Sequence, residues 1–314
     1  MEKLTLATRS SPLALWQANS MKSRLEHSGF KVELMALETI GDKKLEVSLS
    51  KIGDKGVFTQ ELEDLLRIGA AHIAVHSAKD LPSKLPEDLE ILAFSERENP
   101  CDVLVSTKPG LRLENQPLVI GTSSTRRVAI LKRYFPDIET VTIRGNLQTR
   151  FRKMEEGQCQ GLLLAYAGVQ RMGFSGLIRQ ELDLNVFTPA VGQGALAIEV
   201  SKELPSLLKQ SIRKILHHHE TGMVLEAERA FLRKMDGGCS VPVFGYARFY
   251  NGDFHISGGI VSLDGQEEIR KELVLSAPQY ESDYLNAAGQ KLAEDILQAG
   301  GEAILQKIKQ NLQP

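Results

Sequence analysis

Cysteine is scarce in this chain, 3 among 314 residues, and the count is odd. That excludes the disulfide framework of a small secreted domain and points to a reducing cytoplasm. Aromatic residues make up only 6%, with one tryptophan, and they are not interleaved with the basic stretches as in a single-stranded nucleic-acid groove. Neither sign of charge prevails. A formal net charge of −2 argues against a nucleic-acid binder, so an anion site here is a local concentration of positive charge. No apolar run approaches the roughly 18 residues of a membrane span. The opening "MEKLTLATRSSP" carries Glu2, Lys3 and Arg9, so no signal peptide is expected. No Walker A sequence occurs. What remains is the composition of an ordinary globular protein, 42% apolar and 25% charged, long enough for two or three domains.

Strand and helix patterns alternate through the first two-thirds. "KLTLA" (3–7) reads as a strand. The helix after it has Ser11 as its cap, Pro12 in its first turn and Gly29 as its stop. A strand is expected over 31–39, a helix over 60–68 and a buried strand over 72–78. Residues 40–58, rich in glycine and lysine, fit neither period and read as a long loop, functional or mobile. "SERENPCD" (95–102) reads as a crossover, after which strand–turn–helix units recur at 118–135, 138–157 and 161–174. "ALAIEV" (195–200) is another strand, with a helix near 204–216. This order implies parallel sheets with helices on both faces. The character changes after His219. A helix over 222–235 leads to three strands joined at Asn251-Gly252 and Asp264-Gly265, both hairpin signals, and one long amphipathic helix closes the chain. The expected domains are 1–95 with 195–216, then 100–190, then a small antiparallel α+β domain over 220–314.

Basic residues gather at the expected strand ends: Arg9; Lys79; Arg126 and Arg127; Arg144, with Arg150 beyond it; and Arg171 further along its helix. Ligands of open parallel sheets bind outside the carboxyl ends of strands, where helix N-termini offer free N–H groups to anions. Arg126 and Arg127 in a first helical turn oppose the helix dipole, which a bound anion offsets. Ser11, Thr122 and Ser124 add hydroxyls. Arginine outnumbers lysine in the set, which suits bidentate recognition of carboxylates. The plain alternative is a solvated charged face. Asp80 is the one acid of the set and is suited to stabilise positive charge or move protons, its alternative being a turn residue paired with Lys79. Cys239, in "KMDGGCSVPV", is a thiol in an open glycine loop, either incidental or kept for its reactivity. "GQGALA" (192–197) precedes a strand rather than a helix, against dinucleotide binding. The consecutive histidines 217–219 cannot face one point, so a linker is the better reading than a metal site.

In order, "ATRSSPLALWQA", "KIGDKGVFTQELE", "AVHSAKDLP", "IGTSSTRR", "IRGNLQTR", "LLLAYAGVQRMG", "PAVGQGALAIE" and "DGGCSVPV" resemble the porphobilinogen deaminase (hydroxymethylbilane synthase) family. The resemblance implies two lobes like those of type II periplasmic binding proteins, with mostly parallel sheets and a cleft between them, plus a third domain carrying the cysteine. It implies a monomeric cytoplasmic transferase of tetrapyrrole biosynthesis, with no nucleic-acid or membrane partner. Four porphobilinogens are joined head to tail with loss of ammonia, and linear hydroxymethylbilane is released. Cys239 matches the thioether anchor of a dipyrromethane cofactor. Arg9, Lys55, Lys79, Arg126, Arg127, Arg144, Arg150 and Arg171 match positions that bind acetate and propionate groups, and Asp80 matches the catalytic acid. Glu46, Asp54 and Ser240 depart from the residues common in the family. Two other classes compete. A non-catalytic anion-binding protein leaves Cys239 and the third domain unexplained. A cysteine hydrolase requires a histidine base paired with its thiol.

Overall fold

The computed structural model describes residues 3–39, 59–114, 117–238, 240–276 and 281–312. The chain divides into two units: residues 1–98 with 194–222, and residues 99–193 with 223–314.

The first unit is built on β1 (Lys3–Arg9), α1 (Pro12–His27), β2 (Lys31–Leu37), α2 (Gln60–Arg67), β3 (Ile73–Ser77) and β4 (Leu89–Phe94). The helix starts where its sequence says it should. The Ser11 hydroxyl accepts the Ala14 N–H at 3.4 Å, and Pro12 needs no hydrogen-bond partner there. Gln17, Ala18, Met21 and Leu25 form its buried stripe, and the last three pack with Leu4, Leu6, Ile73 and Val75 of the sheet. Gly29 ends it at φ +95°, a conformation that favours glycine.

The second unit opens with β5 (Asp102–Val105), β6 (Leu118–Gly121), α3 (Thr125–Tyr134), β7 (Ile138–Val141), α4 (Leu147–Glu155), β8 (Gly161–Ala165), α5 (Tyr166–Arg171) and β9 (Ile178–Glu181). The chain then returns to the first unit for β10 (Leu196–Ser201) and α6 (Ser206–Leu216).

Both five-stranded sheets have one topology. Their orders are β2-β1-β3-β10-β4 and β7-β6-β8-β5-β9. In each, four strands share a direction and the fourth in the order is reversed: β10 pairs antiparallel with β3 and β4, and β5 with β8 and β9. A reversed strand starts at the edge where its neighbours end, so β5 delivers Asp102 opposite Ala165, the last residue of β8.

The rest of the second unit comprises α7 (His219–Lys234), β11 (Val243–Tyr250), β12 (Asp253–Val261), β13 (Glu268–Leu275), α8 (Ser282–Ile296) and α9 (Glu302–Leu312), the first residues of α7 belonging to the first unit. Its three strands form an antiparallel meander in sequence order. The expected fold class is therefore the one that forms: α/β sheets with four strands of five aligned, plus a C-terminal antiparallel α+β part.

Several elements differ from the sequence reading. Strands β4, β5 and β9 were not expected. The single closing helix is two, broken at Gly300, whose φ of +116° no helix accommodates. Helix α7 starts at 219 rather than 222, because the His218 ring caps it and accepts the Thr221 N–H at 3.2 Å. None of the described helices is long and apolar enough to cross a membrane.

Candidate active site

In the first unit, β1 and β3 lie side by side and parallel, so their carboxyl ends share one edge of the sheet. Arg9 closes β1, and Ser11 caps the helix that follows. After β3 the chain makes a short 3-10 turn, Ala78–Asp80. The Ala78 N–H donates to Ala195 O at 3.0 Å, and the Ser77 hydroxyl accepts Gln17 Nε2–H at 3.0 Å. The turn carrying Lys79 and Asp80 is thereby tied to β10 and to α1. Lys79 is half-buried. Asp80 is exposed, and its carboxylate has no partner among the described residues. Beneath the turn, His76 Nε2 and Glu199 Oε2 lie 3.0 Å apart with both side chains buried.

The second unit repeats the arrangement. Strand β6 lies between β7 and β8, all three parallel. After β6, Thr122 is buried and its hydroxyl accepts the Ser124 N–H at 3.3 Å. Ser124 caps α3, accepting from Arg127 N at 3.5 Å. After β7 comes Arg144, then Asn146, whose side chain caps α4 through the Thr149 N–H at 2.9 Å. Arg150 Nε donates to Gly145 O at 2.7 Å. Arg171 ends α5, a six-residue helix that carries its backbone roughly 9 Å beyond the strand end. A cation there also complements the helix dipole.

Arg126 and Arg127 are not solvated. Both side chains are buried at 6% and 7% exposure, around a fully buried Asp102. Arg126 Nη2 donates to Asp102 Oδ2 and Arg127 Nη2 to Asp102 Oδ1, each at 2.7 Å. Their Nη1 atoms donate to Thr188 O at 2.9 Å and Leu163 O at 2.8 Å. Gln193 Nε2 adds a 2.8 Å hydrogen bond to Asp102 Oδ1. Burial alone pushes the Asp102 carboxyl up, but the two guanidinium groups outweigh it and hold it well below the usual carboxylate range. Burial draws Arg126 down, and Asp102 opposes that. The helix-dipole cost read from the sequence is thus met, in part, by an internal carboxylate.

Lys55 and Cys239 lie outside the described residues, as does the loop 40–58. The other two cysteines are buried and free. Burial, helped by Glu181 and Asp102, pushes the Cys101 thiol up to about 12, and burial raises Cys159 as well. Neither is a nucleophile at neutral pH. In "GQGALA", Gly192 sits at φ +78° and Gly194 at +99°, and a methyl group on Gly194 would run into the Glu98 carbonyl oxygen. These glycines serve the return of the chain into the first unit. The histidines have separate tasks. His217 Nδ1 accepts the Phe94 N–H at 3.3 Å, His218 caps α7, and His219 begins it. No group of described residues could hold a metal.

Three polar residues escaped sequence reasoning. Asp102 stood in the supposed crossover and Gln193 between two glycines. Glu228, fully buried on α7, accepts Gly192 N–H and Ala247 N–H, each at 2.8 Å. The only local signal for Glu228 was a carboxylate inside an apolar helical stripe.

The model for "Porphobilinogen deaminase, dipyromethane cofactor binding domain" matches residues 4–209, and that for "Porphobilinogen deaminase, C-terminal domain" matches residues 223–298. The porphobilinogen deaminase of Cytophaga hutchinsonii is 49% identical, over 98% of this chain and 97% of its own. That of Desulfosudis oleivorans is 43% identical, over 98% of each. Among solved structures, the VFT2 domain of Bordetella pertussis BvgS is similar with a TM-score of 0.42 at 16% identity, over 73% of this chain and 91% of that one. Two family models in tandem, and relatives that align along nearly the whole length, show that this chain belongs to the porphobilinogen deaminase family.

Proposed function

We propose that this chain joins four porphobilinogen molecules head to tail, releasing ammonia at each addition and finally linear hydroxymethylbilane, with a dipyrromethane primer held on Cys239 through a thioether. The observation that carries the reading is the match to both family domains over nearly the whole chain. The reading divides the chain into three domains, 1–95 with 195–216, 100–190 and 220–314, in keeping with its three separate sheets. It extends to a monomer in a reducing cytoplasm, in keeping with two buried free thiols.

The donor chemistry suits a polycarboxylate pyrrole. Ser11 and Ser124 accept backbone N–H groups with their hydroxyl oxygens, which leaves each O–H free to donate to a carboxylate. The Nε atoms of Arg126 and Arg127 are buried without a partner among the described residues, a state that a bound carboxylate relieves. Arg9, Lys79, Arg144, Arg150 and Arg171 supply further cations on the two units, and Lys55 and Thr122 complete the set. When bound, dipyrromethane supplies a free pyrrole α-carbon as the starting nucleophile. The chain's own part is to bind acidic side chains, hold the rings in register and stabilise positive charge on pyrrole nitrogen. Asp80, exposed at a strand end, takes the last of these tasks and accepts or returns the proton.

The test is the intact mass of the purified protein. The parent is expected to carry an excess of two pyrrole units. Cys239→Ser is expected to lose it, while Cys101→Ser and Cys159→Ser keep it. An adduct retained in Cys239→Ser would overturn the assignment.

A further inference from the structure

The cluster around Asp102 is incomplete as it stands. Two guanidinium cations and one carboxylate, all more than nine-tenths buried, leave one net positive charge. Four of the six guanidinium nitrogens are spent, two on Asp102 and two on backbone carbonyls. The two Nε–H groups remain, buried and without a partner among the described residues. Unpaired buried charge and unpaired buried donors are both costly, and one anionic group balances the charge. Two such groups would leave the cluster with excess negative charge.

We infer that Asp102 is a positioning residue and internal counter-ion: it grips Arg126 and Arg127 by their Nη2 atoms and cancels one of their two charges, so that the pair is completed by a single carboxylate. The inference rests on the reading that these arginines meet the acidic groups of a pyrrole ligand, and it deepens that reading by naming what limits the pair to one. The fold supplies the means. A strand running with its neighbours would start at the opposite edge, whereas reversed β5 starts beside the end of β8 and brings Asp102 to Arg126 and Arg127 in the first turn of α3. Gln193 Nε2, bonded to Asp102 Oδ1 at 2.8 Å and to Pro100 O at 2.7 Å, adds a further donor that fixes the carboxylate.

Asp102→Asn keeps the shape and one acceptor oxygen but leaves two buried cations without a counter-ion. Thermal unfolding is followed for the parent and the variant across 0 to about 100 mM succinate at constant ionic strength and neutral pH. The variant is expected to start below the parent and regain about 5–10 °C with succinate, the linkage of a site filled to roughly a hundred times its dissociation constant. The parent, short of one anion rather than two, is expected to rise by about half as much. A residue that served packing alone would not produce this dependence on an anion. Equal succinate responses in the two proteins, or a variant as stable as the parent without succinate, would overturn the inference. Where Asp102→Asn does not fold, the Asp102→Asn, Arg127→Met double variant restores the charge balance and is expected to fold with a parent-like response; its failure to fold would equally overturn the inference. None of these readouts depends on turnover, so they stand apart from the test of the deaminase reading.

Discussion

Alanine at Gly194 separates the cost of a backbone angle from the cost of lost space. Gly29 and Gly194 both belong to the first unit and have almost the same φ, +95° and +99°. Around Gly29 nothing lies within 4 Å of an added methyl group, whereas at Gly194 the methyl meets the Glu98 carbonyl oxygen and comes within 3.2 Å of Arg97 Cγ. The angle costs an alanine about 1–2 kcal/mol, and the stiffer unfolded chain returns about 0.4–1 kcal/mol. Gly29→Ala should therefore lose about 1 kcal/mol. Gly194→Ala adds an overpacking cost of about 1–3 kcal/mol, for a total of about 2–4 kcal/mol, because its obstacle is backbone that itself donates from Glu98 N to Gly194 O at 3.3 Å. The chain's one tryptophan, Trp16, sits on α1, so its fluorescence in a urea titration reports this unit. Turnover should fall with stability in Gly194→Ala alone, since the next residue, Ala195, anchors the turn carrying Asp80. Midpoint losses that agree within about 0.5 kcal/mol would refute the reasoning.

His217 should make stability sensitive to mild acid. Burial, then Arg213 and the flanking His219 and His218, hold its pKa at about 4 against an ordinary 6.5. Between those values the unfolded chain takes up a proton that the folded one refuses, so stability falls as the pH drops from 6.5 to 4. Partial exposure reduces the effect to about 1–2 kcal/mol. His217→Asn keeps an acceptor for Phe94 N and does not titrate, so its unfolding midpoint should change less between pH 7 and pH 4.5; the same acid loss in both proteins would exclude His217 as the cause. Asp80→Asn should retain the cofactor mass while its single-turnover rate falls about 10²–10³-fold. A rate near the parent's would remove Asp80 from the chemistry.

What could be read in the sequence was what depends on neighbours in sequence. Ser11-Pro12, the strand–turn–helix unit over 118–135, Asn251-Gly252 and the strand-end positions of Arg9 and Asp80 each express local rules, and each stands where those rules put it; Arg144, expected at the end of a strand, lies beyond β7, which stops at Val141. What escaped depends on partners far along the chain. Asp102 meets Arg126 and Arg127 about two dozen residues later and Gln193 some ninety later, so nothing beside it in "NPCDVLV" marks it as buried. The same distance hid β5, which pairs with β8 and β9 rather than with a sequence neighbour. The pair Gly300-Gly301 in "AGGEA" is a local break signal, but the strong amphipathic period on both sides of it masked the break. His218 as a helix cap has no sequence rule to announce it.

The reversed strand β10 has a consequence for the order in which the chain assembles. Strands β3 and β4 are both complete by Phe94, yet the strand that lies between them starts at Leu196 and ends at Ser201. At a synthesis rate of about 5–20 residues per second, the gap lasts roughly 5–20 s. Through that interval β3 lacks its partner on one side and β4 has none, with Ile73, Ala74, Val75 and Ala93 on them still to be buried, an arrangement prone to pair with another chain. The first unit therefore begins synthesis first and closes its sheet only after the other five-stranded sheet has all of its strands. Long-range closure of this kind makes for slow folding and places the period of greatest aggregation hazard before residue 201 has left the ribosome.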